Sequence, residues 1–202
     1  MDLTLLQRGL FIGLSIAAPI GPIGLLCIRR TLANGRLSGI VSGLGAATAD
    51  AIFAYIAAFG LTVVSKILID QQIWLRFMGG LFLCYLGIRI IRENPGKQSV
   101  LAGANGLLSA YVSTLLLTLM NPMTILSFAA FFSSLDLVGT SGGSMSAGAL
   151  VLGIFVGSSL WWLILSGAVG AFRDKFDERG LKWVNRMAGS MITGFGLYAI
   201  LS

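Results

Sequence analysis

One acid stands where acids are rare. Asp50 lies deep in an apolar stretch, and it is the only one of the eight Asp and Glu residues that does so. A carboxyl group placed in hydrocarbon is costly and normally marks a function or a buried partner. Its chemistry suits a proton carrier, or a binder for a substrate ammonium or a coupling cation. The other reading is a protonated or hydrogen-bonded acid with a structural role. At helical spacing Gly39, Gly43, Ala46, Ala47, Asp50, Ala54 and Ala57 share one broad face. Small side chains let a second helix approach closely, so Asp50 is expected to point into a bundle rather than at lipid.

The next candidates are breaks in the backbone. Ala18-Pro19-Ile20-Gly21-Pro22 interrupts an apolar run over residues 10–28. Proline has no N–H and clashes with the carbonyl four residues back. Pro19 is therefore expected to free the carbonyl of Ser15, and Pro22 that of Ala18. In a bilayer such groups survive only under protein or beside a water-filled cavity. A discontinuous span is a pointer to a transporter's binding site; the other reading is a proline-kinked packing helix. The second break is Asn121-Pro122. Pro122 is expected to free the carbonyl of Thr118, while Asn121 adds donors and an acceptor at the same depth. Thr118, Thr124 and Ser127 bring hydroxyls nearby. Facing the first break, this would make a polar cavity; otherwise Asn121 bonds to a neighbouring helix. The candidate substrate- or ion-binding set is thus Pro19, Gly21, Pro22, Asp50, Asn121 and Pro122.

Other residues carry weaker signals. Gly153-x-x-x-Gly157 reads as helix packing. Trp161 and Trp162 fall near mid-depth, where one could line a cavity or face an ammonium, though plain packing accounts for them too. Arg29 and Arg30 are expected to snorkel at a cytoplasmic edge.

These residues need a membrane scaffold to position them. The chain has 202 residues, of which 56% are hydrophobic and 11% charged. Soluble domains carry about 25% charge, so a polytopic membrane protein is expected. Six spans are expected, at about 10–28, 40–64, 74–91, 107–132, 149–172 and 183–201. The fold class is all-α integral membrane, as one membrane domain over residues 1–202. A cleavage-like Ser15-Ile16-Ala17 lies in the first span, but the apolar run continues past it, so this span is kept in the mature protein.

Of the 14 Lys and Arg residues, 11 fall in the first, third and fifth loops; Arg8, Lys66 and Arg76 fall elsewhere. Arg76 is counted here with the second loop. Positive charge marks the cytoplasmic side, so both termini are expected outside the cytoplasm.

The halves resemble each other weakly. Gly43 and Gly60 match Gly153 and Gly170 at an offset of 110, and Pro22 matches Pro122 at 100. Trp74, Met78, Gly80 and Gly87 match Trp183, Met187, Gly189 and Gly196 at 109. Residues 1–95 and 104–202 then form two three-helix repeats with broken first and fourth helices. An odd number of spans per unit makes the second unit inverted, with the site at the interface. Trp74 and Trp183 then fall at opposite membrane faces.

Several functions are set aside. The chain has no histidine, and no paired acids lie in its spans, so an intramembrane enzyme lacks its tools. No metal site and no cofactor are expected. Cys27 and Cys84 form no Cys-x-x-Cys pair and read as small buried residues. The net charge of +6 is spread over short loops, which does not suggest nucleic acid. A channel would need polar groups along a continuous pore.

Taken together, Pro19-x-Gly21-Pro22, then Gly35-Arg36-x-x-Gly39-x-x-x-Gly43-x-Gly45-x-x-x-x-Asp50, and Asn121-Pro122 followed by Phe128 and Phe131-Phe132, resemble the LysE/RhtB amino-acid exporter family across the whole chain. Met123 departs from the pattern, since many relatives carry lysine there. The resemblance implies a bacterial inner-membrane secondary transporter that exports amino acids, driven by a proton or sodium gradient. Export of another small solute or cation is the alternative, with a channel further behind. Glycine-rich faces would also suit a homodimer.

Overall fold

The computed structural model describes residues 3–19, 21–58, 70–92, 104–121, 124–125, 127–128, 144–173 and 178–201. Among the described residues seven helices carry the fold: α1 Leu3–Ala17, α2 Pro22–Asn34, α3 Arg36–Ala58, α4 Gln72–Arg92, α5 Ala104–Leu119, α6 Ser144–Ala171 and α7 Glu178–Leu201. No strand occurs among the described residues.

The first expected span is broken, as expected, into two helices. α1 stops at Ala17 because the proline at 19 disfavours helical geometry at Ala18. α2 then leaves at 82° to α1. Pro22 sits in its first turn, where no intrahelical N–H bond is needed and the fixed φ suits a helix start. Pro22 therefore begins a helix instead of kinking one. α2 runs on to Asn34 and is separated from α3 by Gly35 alone. Gly35 has φ +96°, a region that favours glycine, and its N–H donates to the carbonyl of Thr31 at 3.0 Å.

By length and composition, α3, Ile73–Arg92 of α4 and Ala147–Ala171 of α6 can each cross a membrane, and the bent α1–α2 pair makes a fourth. That is fewer than the six expected. α7 opens with the charged residues Glu178, Arg179, Lys182 and Arg186. α5 is short, and its expected continuation through Pro122, Met123 and 129–132 lies outside the described residues.

Glycines set the helix crossings. Gly9 and Gly13 of α1 meet Gly153 and Gly157 of α6 so closely that a Cβ on Gly13 would fall 2.9 Å from the Ile154 carbonyl carbon. The Gly153-x-x-x-Gly157 motif thus packs helices, as expected. α4 and α7 run antiparallel: a Cβ on Gly80 would meet the Gly196 carbonyl at 2.8 Å, and one on Gly87 the Gly189 carbonyl at 2.6 Å. α3 lies against both α5 and α6, and α2 crosses α3 and reaches α7. The outer surface is ringed by exposed Phe11, Ile73, Trp74, Tyr85, Ile164, Trp183 and Tyr198. So much apolar surface suits lipid.

Arg29 and Arg30 correct the snorkelling expectation. They are 6% and 9% exposed, because α2 carries them into the bundle. Arg30 Nη1 donates to Ser42 Oγ at 2.9 Å, Thr114 Oγ1 at 2.7 Å and the Ala110 carbonyl at 2.9 Å. Its Nη2 donates to Ser113 Oγ at 2.8 Å. Arg29 Nε donates to Asn185 Oδ1 of α7 at 3.1 Å. A guanidinium has five donors in a fixed fork, and here the forks fasten α2 to α3, α5 and α7.

Candidate functional site

The face of α3 is built as its spacing requires. Gly39, Gly43, Ala46, Ala47, Asp50 and Ala54 are all buried. Gly43 admits the side chain of Trp162 from α6; a Cβ there would come within 2.6 Å of Trp162 Cγ. That approach sets α6 beside Asp50, which is 4% exposed. Ser158 Oγ donates to Asp50 Oδ2 at 2.7 Å, and Trp162 Nε1 donates to Ser158 Oγ at 3.2 Å. The acid is thus held from behind by a two-step chain, Trp162 to Ser158 to Asp50. Such a chain fixes the carboxyl orientation while leaving one side free for other work.

That other side opens on a cavity of about 580 Å³. Every helix contributes to its wall. The α1–α2 break supplies Pro19, Gly21 and Pro22, followed by Ile23 and Gly24. The first turn of α2 has no side-chain cap, and helix starts carry unpaired N–H groups and partial positive charge. α5 supplies Thr118, then Met120 and Asn121 beyond its end, with Thr124 and Ser127 after them. α6 supplies Trp162, and α7 supplies Phe195, Tyr198 and Ala199.

The second break is real but differs in detail from its expectation. α5 ends at Leu119. The Asn121 N–H donates to the Thr118 carbonyl at 3.1 Å, so that carbonyl is used rather than freed. The Asn121 carbonyl then accepts from the N–H groups of Thr124 at 3.1 Å and Ile125 at 3.2 Å, starting the next turn. The Thr118 hydroxyl donates to the Thr114 carbonyl at 2.8 Å, leaving its oxygen able to accept. A Cβ on Gly79 of α4 would come within 2.9 Å of the Met120 carbonyl, so α4 closes directly over this break.

Five of the six candidate residues, Pro19, Gly21, Pro22, Asp50 and Asn121, line this one cavity. Pro122 lies outside the described residues. Trp162 both packs and lines the wall, whereas Trp161 packs against the core. Cys27 and Cys84 are free thiols; Cys27 is fully buried.

One lining residue was assigned elsewhere by its charge. Arg76 is not a loop residue: it stands in α4 and lines the cavity with Gly79, Gly80 and Leu83. The spacing 76, 79, 80, 83 is a single helix stripe, a signal present in the sequence but masked by counting Arg76 among loop cations. Among the described residues, Arg76 and Asp50 are the only charged ones in the lining. Ser158 also escaped notice, since its role depends on how α6 docks.

Comparison with known proteins fits this architecture. The family model described as LysE type translocator matches residues 14–202. A Bacillus subtilis protein named as a candidate amino acid efflux protein, YcgF, is 26% identical over 93% of this chain and 90% of its own length. The threonine efflux protein of Escherichia coli strain K12 is 27% identical, with 90% of each chain covered. An uncharacterized membrane protein of Synechocystis is 24% identical over 96% of this chain and 94% of its own length. No solved structure matches.

Proposed function

The chain belongs to the LysE type translocator family, and from that premise we propose that it is a secondary transporter that exports amino acids across the bacterial inner membrane, coupled to a proton or sodium gradient. The observation that carries this reading is the meeting of both helix breaks and the intramembrane acid at one cavity. The names of the relatives, amino acid efflux and threonine efflux, support an amino-acid substrate. Members of this family are transporters, not enzymes.

In this reading Pro19, Gly21, Pro22, Asp50, Asn121 and Pro122 form the binding site. The start of α2 offers positive charge density to an anionic group, and Asp50 holds the α-ammonium or exchanges a coupling proton. Six spans in two inverted repeats, 1–95 and 104–202, would let one unit rock against the other. The crossings support that symmetry. Gly80 and Gly87 match Gly189 and Gly196 in the repeat, and each meets the other's counterpart: Gly80 faces Gly196 and Gly87 faces Gly189. A two-fold axis between equivalent helices produces that reciprocity. Likewise α1 packs on α6 as α5 packs on α3. The antiparallel course of α4 and α7 puts Trp74 and Trp183 near opposite ends, in keeping with aromatic belts, while the Lys and Arg bias of the loops supports termini outside the cytoplasm.

The test is counterflow in proteoliposomes loaded with mixed amino acids, with wild type beside Asp50→Asn. Selective exchange that the mutant loses is the expected result. Full exchange by the mutant would remove Asp50 from the mechanism. No exchange of any amino acid by folded wild type would turn the assignment to another small solute or a cation.

A further inference from the structure

We propose that Arg76 anchors the carboxylate of the substrate, so that the cavity reads a zwitterion with Asp50 at the ammonium and Arg76 at the carboxylate. This rests on the amino-acid reading of the cavity above and adds which group of the substrate is held where.

Three observations carry it. Arg76 stands on the cavity stripe of α4, with Gly79, Gly80 and Leu83 beside it. Its Nε is buried and has no hydrogen-bond partner among the described residues. A buried N–H of a guanidinium left unmet is costly, and the natural complement of its planar fork is a carboxylate. Finally, among the described residues the lining holds one acid and one base and no further charge. That is the charge complement of an α-amino acid whose side chain is neutral. A lysine-like or glutamate-like substrate would bring one more charge into the cavity with no partner in its wall, which discriminates against both. The remaining described wall is mostly apolar, with Thr118, Thr124, Ser127 and Tyr198 as hydroxyl-bearing exceptions and the Asn121 amide beside them. Neutral aliphatic or hydroxylated side chains fit that lining.

The buried Arg30 of α2 contrasts with the half-buried Arg76. Arg30 is engaged by four neutral oxygens of neighbouring helices, so its fork is occupied by the protein itself. Among the described residues, Arg76 is the one lining cation left to meet a ligand.

The experiment uses full-length protein in proteoliposomes loaded with alanine, threonine and leucine, with each free acid and its carboxamide added outside as competitors. A carboxamide keeps the ammonium and loses the anionic carboxylate. Wild type is expected to favour free acids over carboxamides by roughly tenfold to a hundredfold, the worth of one charge-assisted pair. In Arg76→Gln that preference should collapse to within about threefold, while Arg76→Lys keeps part of it by retaining charge without the fork. A general folding defect would lower exchange without changing the ratio. Exchange by Arg76→Gln with the wild-type ratio would overturn the role of Arg76 and leave amino-acid transport standing. Should Arg76→Gln fail to fold, wild type decides alone, since equal competition by acids and carboxamides overturns the proposal. No exchange of any amino acid by folded wild type overturns the functional reading, and the role of Arg76 with it.

Discussion

Replacing Ser158 by alanine tests whether the chain behind Asp50 matters. Ser158 is fully buried and joins two groups, accepting from Trp162 Nε1 at 3.2 Å and donating to Asp50 Oδ2 at 2.7 Å. The substitution removes the donor from the acid and the acceptor from the indole. A hydrogen bond to a charged group is worth about 1.5–3 kcal/mol and a neutral one about 0.5–1.5 kcal/mol. The loss for Ser158→Ala should therefore total about 2–4 kcal/mol. In an Asp50→Asn background the cost should shrink, because Ser158 then donates to a neutral amide oxygen. The expected coupling between the two sites is about 1–2 kcal/mol, within the range for contacting residues. Unfolding equilibria in mixed micelles measure all four proteins of the cycle, and counterflow on the same samples reports exchange. Ser158→Ala with wild-type stability would refute the reasoning, and so would equal costs in both backgrounds.

Two other perturbations follow from the packing. Gly157→Ala places a Cβ against the Leu10 backbone, within 2.9 Å of its carbonyl carbon, so α1 and α6 must separate at an overpacking cost of about 1–3 kcal/mol. Gly167→Ala on the same helix meets nothing within 4 Å and should gain up to about 1 kcal/mol from helix propensity; thermal unfolding in detergent should show opposite signs, and equal signs would contradict the close crossing. Arg30→Lys cannot reach Ser42, Thr114, Ala110 and Ser113 at once and should lose about 1–3 kcal/mol, a prediction that unchanged thermal stability would defeat.

What the sequence made legible was local or periodic. The inward face of Asp50 follows from the period of α3, and the first break follows from Pro19, after which α1 cannot continue, and Pro22, which starts α2. What it concealed was non-local. Proline says that α1 must end, but not that α2 turns away at 82°. Arg29 and Arg30 looked like loop cations because Ser42, Thr114 and Asn185 reach them only after α3, α5 and α7 have docked. Arg76 was hidden by the same habit of assigning charge to loops. The stripe 76, 79, 80, 83 carried the opposite message, and the cavity bears it out. Gly9-x-x-x-Gly13 was overlooked since its partner lies roughly 140 residues away on α6.

The buried arginines of α2 bear on how the protein is made. A lone guanidinium in the middle of a bilayer costs about 2.5–3.5 kcal/mol on insertion scales, and α2 carries two side by side. The oxygens that take up Arg30 belong to α3 and α5, and the Asn185 amide that accepts from Arg29 belongs to α7. α2 therefore reaches its final depth only after α5 has been synthesised. A nascent chain halted before residue 104 should still hold α2 near the lipid headgroups, and completion of α5, which brings Ala110, Ser113 and Thr114 to Arg30, should draw it in. Crosslinking α2 to lipid in chains stalled at successive lengths would follow that entry directly.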